Sequence, residues 1–461
     1  MPPGGLKDFP LPPRWTWALV GFVHLAAVVL WGSVELLHDE ADYIAQGRLL
    51  AAWAGGHSSV SSSEVLGRFA LHNPGYASIV ALAEAFSGRG ELIIRLLQCL
   101  AGIGSGFILY AALHARVGKH LALAGSCVLW FHPSMLFFRV SLWPVAFATL
   151  GTTLVAYWVL QGEDRSDGPP AGRFRSPFGW TLALLPFFAA PTLLLLPGLW
   201  FVVGRHRFAT LAVPCLALWL PWTLALSLAL GTFVPVDLSS SRNLVLGNHP
   251  AISEGRGSLW GDPKAKQTYL ADLAAACTQS DAVLRKRCAH RFNTALAKKT
   301  AAGDPSAALR RAVLRAKETW VPGSFLPRAL KERGLRSAAG AATFLGLLHW
   351  PLMLLALLGL RSREGRAALA AAVLWTLPVL IAVGFTRLRQ PTLPFLLVAA
   401  SFGIHSLARA FPLPGAIIRG LWPPTRTTER TAAPGTTSPK PAEIAGSPSP
   451  KRSTSSASDC P

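Results

Sequence analysis

The chain is predicted to be an all-α polytopic membrane protein, and three features of its sequence carry that prediction. Hydrophobic residues fill 51% of its 461 positions and charged residues only 15%, more apolar surface than one soluble core absorbs. The apolar residues fall in continuous runs close to the ~20 residues that cross a bilayer as a helix. These runs do not alternate with polar residues, as the strands of a membrane barrel would.

Residues 1–14 form a lead segment bearing Lys7 and Arg14. Trp15 to Leu36 is the first span, and no small-residue cleavage pattern follows it, so it reads as a retained helix and not as a signal peptide. Further spans run from about Leu92 to His114, Leu121 to Phe138, Leu142 to Leu160, Ala209 to Leu230, Ala338 to Leu360, Ala367 to Phe385 and Pro391 to Arg409. The stretch from Phe178 to Val203 contains Pro186, Pro191 and Pro197. Arg173 and Arg175 precede it and Arg205 and Arg207 follow it. Short basic flanks stay in the cytoplasm, so both ends lie inside and the stretch is a hairpin. The same bias puts Arg116, Lys119, Arg361, Arg363 and Arg366 in cytoplasmic loops. The result is a bundle of about ten transmembrane helices with both termini in the cytoplasm.

Two extracytoplasmic loops remain, at about 38–90 within a membrane domain of 15–231, and at 232–336. The second is rich in Lys and Arg, but long loops translocate largely regardless of charge. Residues 337–411 supply the C-terminal transmembrane helices. The tail, 412–461, is Pro, Ser, Thr, Ala and Gly with scattered charges, and is expected to be cytoplasmic and largely disordered.

The formal net charge of +21 is divided among separate loops, and no nucleic-acid fold signature accompanies it, which excludes nucleic acid as the partner. Anionic lipid headgroups or phosphate-bearing substrates fit better. No zinc-type Cys/His spacing, Gly-rich phosphate loop or nucleophile elbow is present. Cys99, Cys127 and Cys215 fall in apolar spans. Cys277 and Cys288 share the second outer loop and are expected to form a disulfide if that loop meets an oxidising compartment. The chain must turn between them, because one straight helix would hold them ~16 Å apart.

Chemistry points to the stretch Leu37-His38-Asp39-Glu40-Ala41-Asp42-Tyr43. Carboxylates at a membrane exit are costly, and their surroundings set their reactivity, so Asp39 and Glu40 are a candidate reaction centre. The alternative is a solvated pair opening a surface helix, with Asp39 near its N-cap. On that helix Tyr43 shares the face of Asp39 better than Arg48 does.

The order of several strings resembles the GT-C membrane glycosyltransferases of the protein-mannosyltransferase and aminoarabinose-transferase type. These are the acidic pair and helix from Asp39 to Arg48, then Asn73-Pro74-Gly75-Tyr76 and Arg95-Leu96-Leu97-Gln98. Pro221-Trp222-Thr223, Gly231-Thr232-Phe233-Val234-Pro235-Val236 and Asn243 through Pro250 follow. Thr386-Arg387-Leu388-Arg389-Gln390-Pro391 looks like the family's basic turn before its last helix. The resemblance spans about Trp15 to Phe411. It implies a GT-C-like bundle in a bacterial inner (plasma) membrane, a sugar donor carried on polyprenyl phosphate, and transfer to an acceptor hydroxyl on the outer face.

Under that resemblance Asp39 is the general base, and Glu40 orients the acceptor or helps hold a divalent cation. Arg387 and Arg389 are placed to clamp the donor phosphate, with helix anchoring by snorkelling as their alternative. Tyr43, Asn248 and His249 are candidate substrate contacts, Tyr43 having a packing alternative and Gly247-Asn248-His249-Pro250 a turn alternative. Three positions depart from the family. Ser141-Leu142-Trp143-Pro144 stands where relatives often carry an acidic residue, Ala189-Ala190-Pro191-Thr192 where many carry Arg, and Leu224-Ala225 where Arg-Asn is usual. A noncatalytic scaffold and a lipid-linked sugar flippase are the other classes in view. A flippase needs charges near the bilayer midplane and repeated halves, whereas the conspicuous charges here cluster at the outer ends of spans.

Overall fold

A computed structural model describes residues 10–31, 36, 38–57, 60–69, 72, 74–162, 177–196, 205–259, 262–320, 325–382 and 389–410. Its described elements are all helical, with no strand among them. Five helical segments are long and apolar enough to cross a membrane: Gly90–Val117, Leu211–Leu230, Arg336–Arg361, Arg363–Ile381 and Gln390–Ala410. Lys119–Phe131 and Pro133–Val140 make a sixth if taken as one span bent by 51°. Three shorter apolar helices join them, Arg14–Leu30, Val145–Gln161 and Pro177–Phe187. The chain is a multi-pass membrane protein. The described residues give fewer full-length spans than the ten crossings expected; among them the helices in the first and fourth expected spans and at Pro177–Phe187 are shorter than spanning length.

The bend has a local cause. Pro133 opens the second half and has no N–H to continue the helix ladder through His132. The hairpin is likewise broken by proline: a short helix, Pro177–Leu184, passes into 3-10 turns at Leu185–Phe187 and Ala190–Leu194, with Pro186 and Pro191 in their first positions. Residues 197–204 lie outside the described residues.

The core gathers around the last helix, α19 (Leu393–Ala410), which is largely enclosed by its neighbours. Trp375 packs there with Leu109, Leu129, Phe395 and Phe402, all buried. Between lipid-facing helices there is no hydrophobic driving force, so van der Waals packing and hydrogen bonds hold such a bundle.

The two polar segments pack against one another. In the first lie α2 (His38–Ala54), α3 (Ser62–Phe69) and α4 (Pro74–Ser87). Gly47 lets α2 and α4 approach, since a Cβ there would collide with Val80. The second contains α11 (Ser239–Asn248), α12 (Pro263–Ala276), α13 (Ala282–Gly303), α14 (Pro305–Trp320) and α15 (Phe325–Glu332). It begins at Gly231, whose φ of +57° suits glycine at the end of α10 (Arg205–Leu230). Lys286 donates to the Gly67 carbonyl, and Arg333 pairs with Glu40 at 2.6 Å.

Cys277 and Cys288 form a disulfide with their Cα atoms 5.7 Å apart. The chain turns between α12 and α13, and Asp281 caps the latter by accepting from the Leu284 amide at 2.7 Å. That turn is what brings the two thiols within bonding reach.

Candidate functional site

A cavity of about 660 Å³ lies between the two polar segments and the outer ends of the helices. Asp39 and Tyr43, one turn apart on α2, line one side of it. Ser239, Ser240, Arg242 and Asn243 from α11, and His290 and Thr294 from α13, line another. Apart from His72 the remaining wall is largely apolar and includes Trp143, Phe188, Phe233 and Trp375. Low dielectric surroundings strengthen every charge that faces such a space.

Glu40 points the other way. One of its carboxylate oxygens accepts from the Leu142 amide at 2.9 Å and the other from Arg333 Nη2 at 2.6 Å. Both partners are buried, with 1% of the Glu40 side chain exposed and 4% of Arg333. Both oxygens thus bind the turn at 141–144 and the second polar segment. Gln98 acts on the same turn: it accepts from the Tyr76 hydroxyl at 2.8 Å and donates to the carbonyls of Phe138 at 2.8 Å and Ser141 at 2.6 Å. Trp143 and Pro144 are thereby fixed as cavity wall.

Two departures from the family pattern, at 141–144 and 189–192, fall on this wall, where Trp143, Pro144, Ala189, Ala190 and Pro191 leave it apolar. The third string lies behind it. Trp222 Nε1 donates to the Val236 carbonyl at 2.8 Å and the Thr223 hydroxyl to that of Pro235 at 2.5 Å, holding two lining residues in place.

On the opposite wall Asp237 caps α11, accepting from the Ser239 hydroxyl at 2.7 Å and the Ser240 amide at 3.1 Å. Its burial raises its pKa above the usual carboxylate range, and the Ser239 contact acts against this. His290 meets the Ser241 hydroxyl through Nδ1 at 2.9 Å, and burial lowers its pKa. His72, also on the cavity wall, lies 3.8 Å from the Asp42 carboxylate and is the first cause of the lowered pKa of Asp42.

Asn248 and His249 do not reach the cavity wall. Asn248 Nδ2 donates to the Leu244 carbonyl at 2.9 Å and to that of Ile381 at 2.7 Å, capping the end of α18 (Arg363–Ile381). His249 is buried, its Nδ1 accepts from the Ala251 amide at 3.2 Å, and its ring meets Tyr269 edge-on. The His249 bond lies within its own turn, whereas Asn248 ties the end of α11 to the end of α18. Arg389 is buried behind the wall, with Nη1 donating to the Thr319 carbonyl at 2.9 Å. Arg387 lies outside the described residues. Arg48 faces away and pairs with Glu84 at 2.9 Å and Glu91 at 3.2 Å.

Arg242, His290 and Asp237 were not singled out by the sequence. Asp237 carried a signal, an acidic residue directly before the polar start of a helix, Leu238-Ser239-Ser240-Ser241. His290 and Thr294 share a helix face by four-residue spacing, but nothing in the sequence says which face meets a cavity. Among the described residues no three His, Cys, Asp or Glu side chains gather as a metal site.

No family model matches this sequence, and no curated protein matches it. The structure is similar to that of ArnT from Cupriavidus metallidurans bound to undecaprenyl phosphate, with a TM-score of 0.40 and 14% identity over 86% of this chain and 79% of that chain. It is also similar to the apo state of ArnT from the same organism, with a TM-score of 0.37 and 15% identity over 86% of this chain and 78% of that one.

Proposed function

We propose that the cavity transfers a sugar from a polyprenyl-phosphate-linked donor to an acceptor hydroxyl on the outer face of a bacterial inner membrane. The observation that carries this reading is the meeting of Asp39 and Tyr43 from one polar segment with Arg242 and His290 from the other around a single cavity. Asp39 takes the proton of the acceptor hydroxyl, whose oxygen then bonds to the anomeric carbon as the bond from that carbon to the phosphate oxygen breaks. The lipid phosphate departs with the electron pair. Arg242 supplies positive charge where its oxygens gain negative charge, and the α11 start adds backbone polarity of the same sign.

Glu40 acts in this reading as a positioning residue, fixing the start of α2 through Leu142 and Arg333. Tyr43 borders the acceptor side. Arg389, held behind the wall by the Thr319 carbonyl, is given no part in the transfer, and Arg387 keeps its expected role toward the donor phosphate by resemblance alone. The apolar wall formed by Trp143, Phe188 and Phe233 suits the first isoprene units of the carrier.

The test is incubation of purified protein with a panel of polyprenyl-phosphate sugars, measuring release of lipid phosphate. Release from at least one donor, lost on Asp39→Asn, is the expected result. No release from any donor favours the noncatalytic scaffold.

A further inference from the structure

Behind the cavity, the membrane-embedded helices enclose a second polar cluster that the proposed reaction does not use. His349 opens the helix His349–Leu358 with only 5% of its surface exposed, and neither of its ring nitrogens has a hydrogen-bond partner. Its ring stacks on Trp320 with centroids 6.2 Å apart and meets His132 edge-on at 6.5 Å. His132, half-buried at the bend between the helices Lys119–Phe131 and Pro133–Val140, also has an unpartnered Nδ1. Thr319 is fully buried, its hydroxyl has no partner, and its carbonyl accepts from Arg389.

Four buried polar atoms are thus unsatisfied in one neighbourhood built from four separate elements. Each such group bears the desolvation cost of a hydrogen bond left unmade. Buried polar groups in folded proteins are almost always satisfied, so an exception calls for an explanation. The chemistry of the set selects the ligand. Neutral imidazoles and a hydroxyl offer donors, the guanidinium offers positive charge, and the four side chains include no carboxylate. A cation would be repelled, whereas a small group with several acceptor oxygens and negative charge would accept from the N–H of each neutral ring and from the Thr319 hydroxyl, and a protonated phosphate oxygen could donate to a bare ring nitrogen. The half-buried ring of His132 offers an approach, and the neighbouring Trp350 and Leu354 on the His349 helix face outward where hydrocarbon lies.

We propose that His132, Thr319, His349 and Arg389 form a phosphate-binding site inside the membrane domain, separate from the Asp39 cavity. The site stands whether or not the cavity transfers sugar. Its phosphate is carried either on a lipid, entering sideways from the bilayer, or as the free ion.

The test uses full-length protein in detergent, with the unfolding temperature measured against short-chain polyprenyl phosphate, the uncharged polyprenol and inorganic phosphate. Stabilisation by polyprenyl phosphate but not by polyprenol is expected. If inorganic phosphate matches the lipid, the ligand is the free ion; if it has no effect, the ligand is lipid-borne. His349→Phe is expected to weaken binding at least tenfold, and His132→Asn, at the half-buried position, serves if the first variant does not fold. Arg242→Ala strips charge from the cavity, and in that background polyprenyl phosphate is expected to keep the part of its stabilisation that His349→Phe removes. Stabilisation that persists in both histidine variants and is lost in Arg242→Ala would assign the phosphate to the cavity and overturn the second site. Absence of any phosphate-dependent stabilisation would overturn it as well.

Discussion

Two helix starts face the same cavity, and each carries an aspartate at its N-terminal end. On α2, Asp39 opens onto the cavity while its neighbour Glu40 is pinned between Arg333 and the Leu142 amide. On α11, Asp237 is fully buried, and its carboxylate is engaged by the Ser239 hydroxyl and the Ser240 amide. The same residue type at the same kind of position thus serves two ends. Burial separates them: Asp237, enclosed and engaged at the start of α11, stiffens the wall, whereas Asp39 lines the cavity and is the carboxylate proposed as the base.

The comparison sharpens first at Glu40. Glu40→Ala strands a buried guanidinium, and removing one member of a buried ion pair costs ~3–5 kcal/mol. A fall of that size in unfolding free energy is expected, and Arg333→Ala should match it. A loss below ~1 kcal/mol, the range of exposed pairs, would show that the pair does not anchor α2.

A smaller effect is expected at the second helix start. Asp237→Ala removes a cap worth ~1 kcal/mol, measured as denaturant stability, while Asp237→Asn retains an acceptor and recovers most of it. If Asp237→Asn abolished transfer without a change in stability, the capping assignment would fail and Asp237 would become a candidate base.

His290 tests the same wall by pH. Burial holds its imidazole below the ordinary 6.5, so the unfolded chain takes up the proton first. Its contribution is therefore complete above the unfolded value and is lost as pH falls from there through the folded one. His290→Gln should flatten the dependence of stability on pH in that window, and an unchanged slope would show that the ring does not titrate as buried.

The smallest effect is expected on the far face of α2. Arg48 is exposed and pairs with Glu84 and Glu91, so Arg48→Ala should cost no more than ~0.5 kcal/mol and leave transfer intact. A large loss of transfer would bring Arg48 into the site.

Much of this arrangement was legible in the sequence. Length and apolarity located most spans, and the prolines of 177–196 marked a broken segment because proline cannot continue a helix ladder. The need for a turn between Cys277 and Cys288 followed from helix rise alone. What remained hidden depended on which face of a helix meets which neighbour across long sequence separations. Asp39 and Glu40 are adjacent and chemically alike, and only the partners of Glu40, at 142 and 333, separate their roles. Asn248 likewise reads as a polar turn residue until the carbonyl of Ile381, 133 positions away, is seen to receive its amide. The strings quoted for the resemblance mostly prove to be supports: Gln98, Trp222 and Thr223 hold backbone that shapes the cavity.

The most direct test compares Asp39→Asn with Asp237→Asn in lipid-phosphate release, at equal amounts of folded protein and with a donor the parent uses. Asp39→Asn is expected to lower the rate ~100- to 10,000-fold with no loss of stability, while Asp237→Asn stays within a few-fold of the parent. Near-parental transfer by Asp39→Asn would contradict the assignment of the cavity-facing carboxylate as the base.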